Sequence, residues 1–171
     1  MISPFPFFSS KPPMQDFTSQ APVSRNTTQS IAGKKPSAPE QKLKRVLVMD
    51  DEESILELTG RMLRSQRYDV ETARDANTAL KQYRTGLETG RRFDAVILDL
   101  TMAEGMGGLD AFKALKALDP GVKAILSTGY SHESVVLNYK QHGIAGLALK
   151  PYKVQELLEA VAKVVNGPLP T

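Results

Sequence analysis

The sequence predicts an α/β fold, a parallel sheet of five strands with helices packed on both of its faces. Three observations predict it. Five short apolar runs alternate with five segments whose apolar residues recur at helical spacing, and regular alternation of this kind gives a parallel sheet with right-handed crossovers. The central run, Ala95-Val96-Ile97-Leu98, is too apolar for a strand with one wet face and is therefore expected to be buried on both. The 171 residues, 41% of them apolar, suffice for one such core plus an appendage but not for the eight repeats of a closed barrel. For five strands the doubly wound order 2-1-3-4-5 is the first choice.

The appendage is N-terminal. Residues 1–43 are rich in Pro, Ser, Thr, Gln and Lys and show no helical or strand period, the composition of a disordered tail. Ile2-Ser3-Pro4-Phe5-Pro6-Phe7-Phe8 is apolar, but two prolines interrupt it and no basic stretch precedes it, so it does not read as a secretory signal. Residues 1–45 carry seven Lys and Arg against two Asp and Glu, net +5, whereas 46–171 carry fifteen against seventeen, net −2. The basic character thus belongs to the tail and gives no reason to expect a nucleic-acid partner. Absence of Cys excludes a disulfide framework, a zinc-thiolate site and a Cys nucleophile. No apolar run is long enough to span a bilayer, and a cytoplasmic protein without a membrane partner is expected.

From Lys44 the texture changes, and residues 44–166 form the expected domain, followed by a short tail at 167–171. Arg45-Val46-Leu47-Val48-Met49 is the first strand and runs into Asp50-Asp51-Glu52-Glu53. Ile55, Leu58, Met62 and Leu63 give the first helix one apolar face. A second strand is expected at 68–72, and a helix beginning near Asp75 turns Ala76, Ala79, Leu80 and Tyr83 inward. The third strand, 95–98, ends in Asp99 and the Gly-rich stretch Gly105-Met106-Gly107-Gly108; Leu109, Phe112 and Leu115 then mark a third helix, stopped by Asp119-Pro120-Gly121. The fourth strand is expected at 122–126, ahead of Ser127-Thr128-Gly129, with a polar helix at 134–141 after it. The fifth strand, 145–149, ends in Lys150-Pro151, and the last helix turns Val154, Leu157, Leu158, Val161 and Val165 inward before Gly167-Pro168. Together these elements make a flavodoxin-like (βα)5 three-layer sandwich.

In a parallel sheet all strand ends of one kind lie on one edge, and the C-terminal edge is where ligands collect. Four strand ends bring polar side chains there: Asp50 and Asp51, then Asp99, Thr128 and Lys150. Three crowded carboxylates repel one another, and a hard divalent cation such as Mg²⁺, which takes oxygen ligands, relieves the repulsion. Lys150 adds a positive charge and Thr128 a hydroxyl able to bond an oxyanion. The set suits phosphoryl transfer to a carboxylate. Asp99, central in the sheet and followed by a glycine loop, is the expected nucleophile, with Asp50 and Asp51 as metal ligands.

With these residues in place, the chain resembles a response-regulator receiver domain of two-component phosphorelays. The resemblance rests on Asp50-Asp51 after the first strand, Asp99 after the third, Thr128-Gly129 after the fourth and Lys150-Pro151 after the fifth. The runs Asp99-Leu100-Thr101-Met102 and Ser127-Thr128-Gly129-Tyr130-Ser131 are similar to receivers attached to hybrid histidine kinases. The family implies that Asp99 takes phosphate from the phosphohistidine of a histidine kinase or histidine phosphotransfer protein. It implies Mg²⁺ held by Asp51, Asp99 and the backbone carbonyl of Thr101, with Asp50 assisting through water. It further implies Thr128 and Lys150 on the phosphoryl group and a cis Lys150-Pro151 bond.

Two positions depart from the family. Where it usually has Pro after the residue matching Met102, this chain has Ala103-Glu104; where it often has an aromatic switch residue, this chain has Leu147. Switching is then expected to involve Thr128 with Leu147, or Tyr130 or Tyr152. His132-Glu133 and His142 read as loop and helix-end residues. The expected function is that of a single-domain phosphoacceptor, not an enzyme proper, signalling to an unknown output protein by protein–protein contacts. The rivals are a phosphorylation-independent scaffold and a Mg²⁺-dependent phosphohydrolase. A haloacid-dehalogenase arrangement is set aside because it needs a second Asp where Thr101 stands.

Overall fold

The computed structural model describes residues 42–129 and 134–168. The chain divides into two units, 1–39 and 40–171, and the described residues lie in the second. The expected tails and Tyr130 and His132 therefore fall wholly or mostly outside the described residues.

The elements are β1 (Arg45–Met49), α1 (Glu53–Ser65), β2 (Asp69–Ala73), α2 (Ala76–Glu88), β3 (Ala95–Asp99), α3 (Gly108–Leu118), β4 (Ala124–Thr128), α4 (Ser134–Leu137), β5 (Gly146–Leu149) and α5 (Val154–Asn166). A single 3-10 turn, Tyr139–His142, follows α4. The sheet order is β2-β1-β3-β4-β5 and all four pairings are parallel, as expected from the alternation.

Every residue of β1, β3 and β4 is buried, whereas the edge strands β2 and β5 are only partly so. Successive side chains of a strand point to opposite faces, and two core layers result. Leu47, Met49, Val96, Leu98 and Leu126 pack with Ala79, Tyr83, Phe112 and Leu115 of α2 and α3. Val46, Val48, Ala95, Ile97 and Ile125 pack with Leu56, Leu63, Leu157 and Val161 of α1 and α5. Among the described residues no helix is long and apolar enough to cross a membrane.

Several details differ from expectation. In α1 the buried residues are Leu56, Thr59, Gly60 and Leu63, while Leu58 is exposed. The inward face thus takes in Thr59 and Gly60, which an apolar count passes over. In α5 Val154 is exposed and Val164 takes its place in the core. Strand β2 starts after Tyr68, whose N–H turns back to the Leu63 carbonyl at 3.3 Å. Strand β4 starts at Ala124 because the N–H of Val122 is used in a turn to Asp119, at 3.0 Å. The helix expected at 134–141 is cut to α4 plus the 3-10 turn. Val135 and Val136 are β-branched and weak helix formers, and Gly143, at φ 79°, closes the turn in the left-handed region.

At the N-terminal edge of the sheet Arg45 is buried although charged. Its guanidinium bonds Asp69 at 3.0 Å, Glu71 and the Arg91 carbonyl, and lies 4.2 Å over the Phe93 ring. The backbone N–H of Arg45 donates to Asp94 at 2.8 Å.

Candidate functional site

The C-terminal edge gathers the expected residues. Asp50 and Asp51 follow β1, Asp99 and Thr128 close β3 and β4, and Lys150 follows β5. Asp50, Asp99 and Thr128 are buried and Asp51 is exposed. The backbone sets these positions. Asp50 N–H donates to the Ala73 carbonyl at 3.1 Å, and Lys150 N–H to the Thr128 carbonyl at 2.9 Å, so both residues prolong the ladder beyond their strands. The side chain of Asp50 also accepts from Glu52 N–H at 3.1 Å, which shapes the turn into α1. At the start of α3, a Cβ on Gly108 would collide with the Asp99 carbonyl, so glycine lets the helix begin hard against the end of β3.

Lys150 Nζ lies 2.7 Å from Asp50 Oδ2 and 2.9 Å from Asp99 Oδ1. One oxygen from each of Asp50, Asp51 and Asp99 lies within 4.8 Å of the others. Burial pushes the Asp99 carboxyl above the usual range; the ammonium of Lys150 opposes that, and the charges of Asp50 and Asp51 add to it. Burial alone would lower Lys150, but its bonds to Asp50 and Asp99 prevail and hold it above the ordinary lysine range. Three carboxylates against one ammonium leave two negative charges in excess. An all-oxygen donor set with that excess fits a hard divalent cation, for which one bound ion balances the charge.

Asp51 Oδ2 accepts the backbone N–H of Ala103, at 2.8 Å, from the loop between β3 and α3. Thr101 belongs to the same loop and is exposed. Ser127, opposite Asp99 in the ladder, is buried. Its carbonyl accepts Leu100 N–H at 2.8 Å and its hydroxyl bonds the Tyr152 hydroxyl, so one residue ties the chain beyond Asp99 to the chain beyond Lys150. Burial raises the Tyr152 hydroxyl above the usual tyrosine range. The Lys150-Pro151 bond is cis, as the resemblance implied. Leu147 lies opposite Leu126 and is half-buried against the core. With Val136, Leu149, Tyr152 and Leu157 it lines a cavity of about 300 Å³ between α4, β5 and α5. His142 is exposed at the end of the 3-10 turn.

Sequence reasoning passed over two groups. The amide of Ala103 has no residue-type signal, since every residue but proline carries one. Ser127 stood beside the expected Thr128, but nothing in its spacing distinguished it.

The fold that carries this edge recurs in known proteins. The family model for the response regulator receiver domain matches residues 46–162. The two-component response regulator ARR10 of Arabidopsis thaliana is 32% identical over 124 residues, which are 71% of this chain and 21% of that protein. The transcriptional regulatory protein ZraR of Escherichia coli O157:H7 is 31% identical over 120 residues, 70% of this chain and 26% of that protein. The chain thus matches about a fifth to a quarter of the length of these relatives. Among solved structures, chemotaxis protein CheY4 of Vibrio cholerae superimposes with a TM-score of 0.65 at 27% identity, covering 72% of this chain and 99% of that one. The response regulator TrrA of Thermotoga maritima, solved in complex with Mg²⁺ and BeF, gives 0.62 at 34% identity, covering 71% and 99%.

Proposed function

This chain belongs to the response regulator receiver domain family of two-component systems, and we propose that within it Asp99 is the phosphoacceptor. The observation that carries this reading is the ammonium of Lys150 held between the buried carboxylates of Asp50 and Asp99, at 2.7 and 2.9 Å. An ordinary helix cap has no use for a buried lysine.

The donor is the phosphohistidine of a histidine kinase or a histidine phosphotransfer protein. A carboxylate oxygen of Asp99 attacks phosphorus, the P–N bond breaks, and its electron pair stays on the imidazole, which takes up a proton. The product is an acyl phosphate on Asp99. Lys150, already 2.9 Å from Asp99, follows the phosphoryl oxygens, and the Thr128 hydroxyl donates to one of them. Asp50, Asp51, Asp99 and the Thr101 carbonyl would hold Mg²⁺. Its role is to neutralise charge on the transferring group, and the relative TrrA was solved with Mg²⁺ and BeF. Output runs through the face formed by α4, β5 and α5, where Leu147 and Tyr152 line one cavity and Ser127 connects that cavity to the acceptor strand.

Incubation with Mg²⁺ and acetyl phosphate tests the reading. An alkali-labile mass gain of one phosphoryl group is expected, and its loss in Asp99→Asn. No adduct, even with a cognate kinase, would favour a phosphorylation-independent scaffold; continuous phosphate release from varied phosphomonoesters would favour a hydrolase.

A further inference from the structure

We infer that the backbone N–H of Ala103 is a positioning group for the cation at this edge; the inference rests on Asp50, Asp51 and Asp99 being a magnesium site. The three carboxylates have unequal means of staying together. Lys150 gathers Asp50 and Asp99 from the β5 side, at 2.7 and 2.9 Å. Asp51 is exposed, and Coulomb repulsion from its two neighbours favours a rotamer that swings out to water. The Ala103 amide, 2.8 Å from Asp51 Oδ2, holds it back from the other flank.

An amide suits this role better than a second ammonium would. It orients the carboxylate through one of about four lone-pair directions and leaves the others for a ligand. It also adds no net charge, so the excess of two negative charges that a divalent ion needs is kept. A group that fixes the orientation of a metal-binding side chain typically changes affinity about 10–100-fold when removed.

The contact acts on the loop as well. Residues 101–107 are anchored at one end by Leu100 N–H on the Ser127 carbonyl, at 2.8 Å, and at the other by Gly108 against Asp99. Asp51 holds the loop between those anchors, two residues past Thr101. Loop order and cation occupancy are therefore coupled, each favouring the other. Proline at this position would have no N–H to give.

Calorimetric titration of the full chain with Mg²⁺, without phosphodonor, tests this. Ala103→Pro is expected to raise Kd about 10-fold, the lower end of the range for an orienting group. The conservative Ala103→Ser keeps the N–H and restores the wild-type value. Asp51→Ala removes the ligand and abolishes binding. If proline disrupts the fold, amide hydrogen exchange decides instead: the Ala103 N–H is expected to exchange more slowly in wild type than in Asp51→Ala. Unchanged or tighter Mg²⁺ binding in folded Ala103→Pro, or equal exchange in wild type and Asp51→Ala, overturns the inference while the metal site stands. Undiminished Mg²⁺ binding in Asp51→Ala would instead overturn the site.

Discussion

The two edges of the sheet are built from similar parts with opposite patterns of burial and charge. Each sets one long basic side chain among carboxylates from neighbouring strands. At the N-terminal edge the cation is the buried partner, Arg45 at 5% exposure, and its acids Asp69 and Glu71 are at 35% and 38%. At the C-terminal edge the acids are buried, Asp50 at 1% and Asp99 at 4%, and Lys150 at 16% is the more open partner. At the first edge Arg45 and Arg91 meet Asp69 and Glu71, and the charges cancel. At the second, one ammonium faces three carboxylates. A balanced cluster with wet acids is a staple. An excess of negative charge with two of its three carboxylates buried is costly unless something cationic arrives, and that imbalance is the ground for the proposed site.

Removing each cation is the harshest way to break the comparison. Lys150→Ala strands two buried carboxylates, so a loss of about 3 kcal/mol at neutral pH is expected by denaturant unfolding, together with loss of phosphorylation. Arg45→Ala leaves acids that water already reaches, which reduces the cost to about 2 kcal/mol; the phosphoacceptor reaction is expected to survive.

Removing an acid reverses the sign between the edges. Asp69→Asn weakens the staple, whereas Asp99→Asn relieves repulsion and is expected to gain about 1 kcal/mol while abolishing phosphorylation. The gain depends on pH. The Asp99 carboxyl is raised in the fold, chiefly by burial, so its penalty is absent below the unfolded value, grows through the raised folded value and is complete above it. The advantage of Asp99→Asn over wild type therefore fades as pH falls toward about 4, which thermal melts across pH would follow.

Asp75 sharpens the comparison from within the same edge. It lies just past the end of β2, whereas Asp99 closes β3, and it does what a strand-end Asp ordinarily does. Its side chain accepts Thr78 N–H at 2.9 Å at the start of α2. That bond holds its carboxyl below the usual range. Asp75→Ala is expected to cost about 1 kcal/mol at neutral pH without affecting phosphorylation. Because the folded value is lowered, the contribution is present above the unfolded value and is lost as pH falls through the folded one.

Much of this was legible in the sequence. Uninterrupted apolar runs announce β1 and β3, and the order of strand ends by itself puts Asp50, Asp51, Asp99, Thr128 and Lys150 on one edge. The failures have separate causes. Thr59 and Gly60 are buried, and an apolar count does not register either residue. The helix after β4 was drawn too long because Val135, Val136 and Tyr139 carried the apolar spacing while the β-branched pair weakened the helix. The bond of Ala103 to Asp51 is made by a backbone group, which no residue type announces. Tyr152 could be named as an alternative to Leu147, but its bond to the Ser127 hydroxyl is a tertiary side-chain contact that no residue spacing announces.

The central claim is that the imbalance at the C-terminal edge singles out Asp99 as the acceptor. Reductive trapping tests it most directly: after incubation with acetyl phosphate and Mg²⁺, borohydride converts an acyl phosphate to the alcohol, leaving homoserine in place of the modified aspartate. Homoserine at position 99, dependent on Mg²⁺ and absent from positions 50 and 51, is the expected result. Homoserine at 50 or 51, or none at 99 when the intact protein has gained a phosphoryl group, would contradict it.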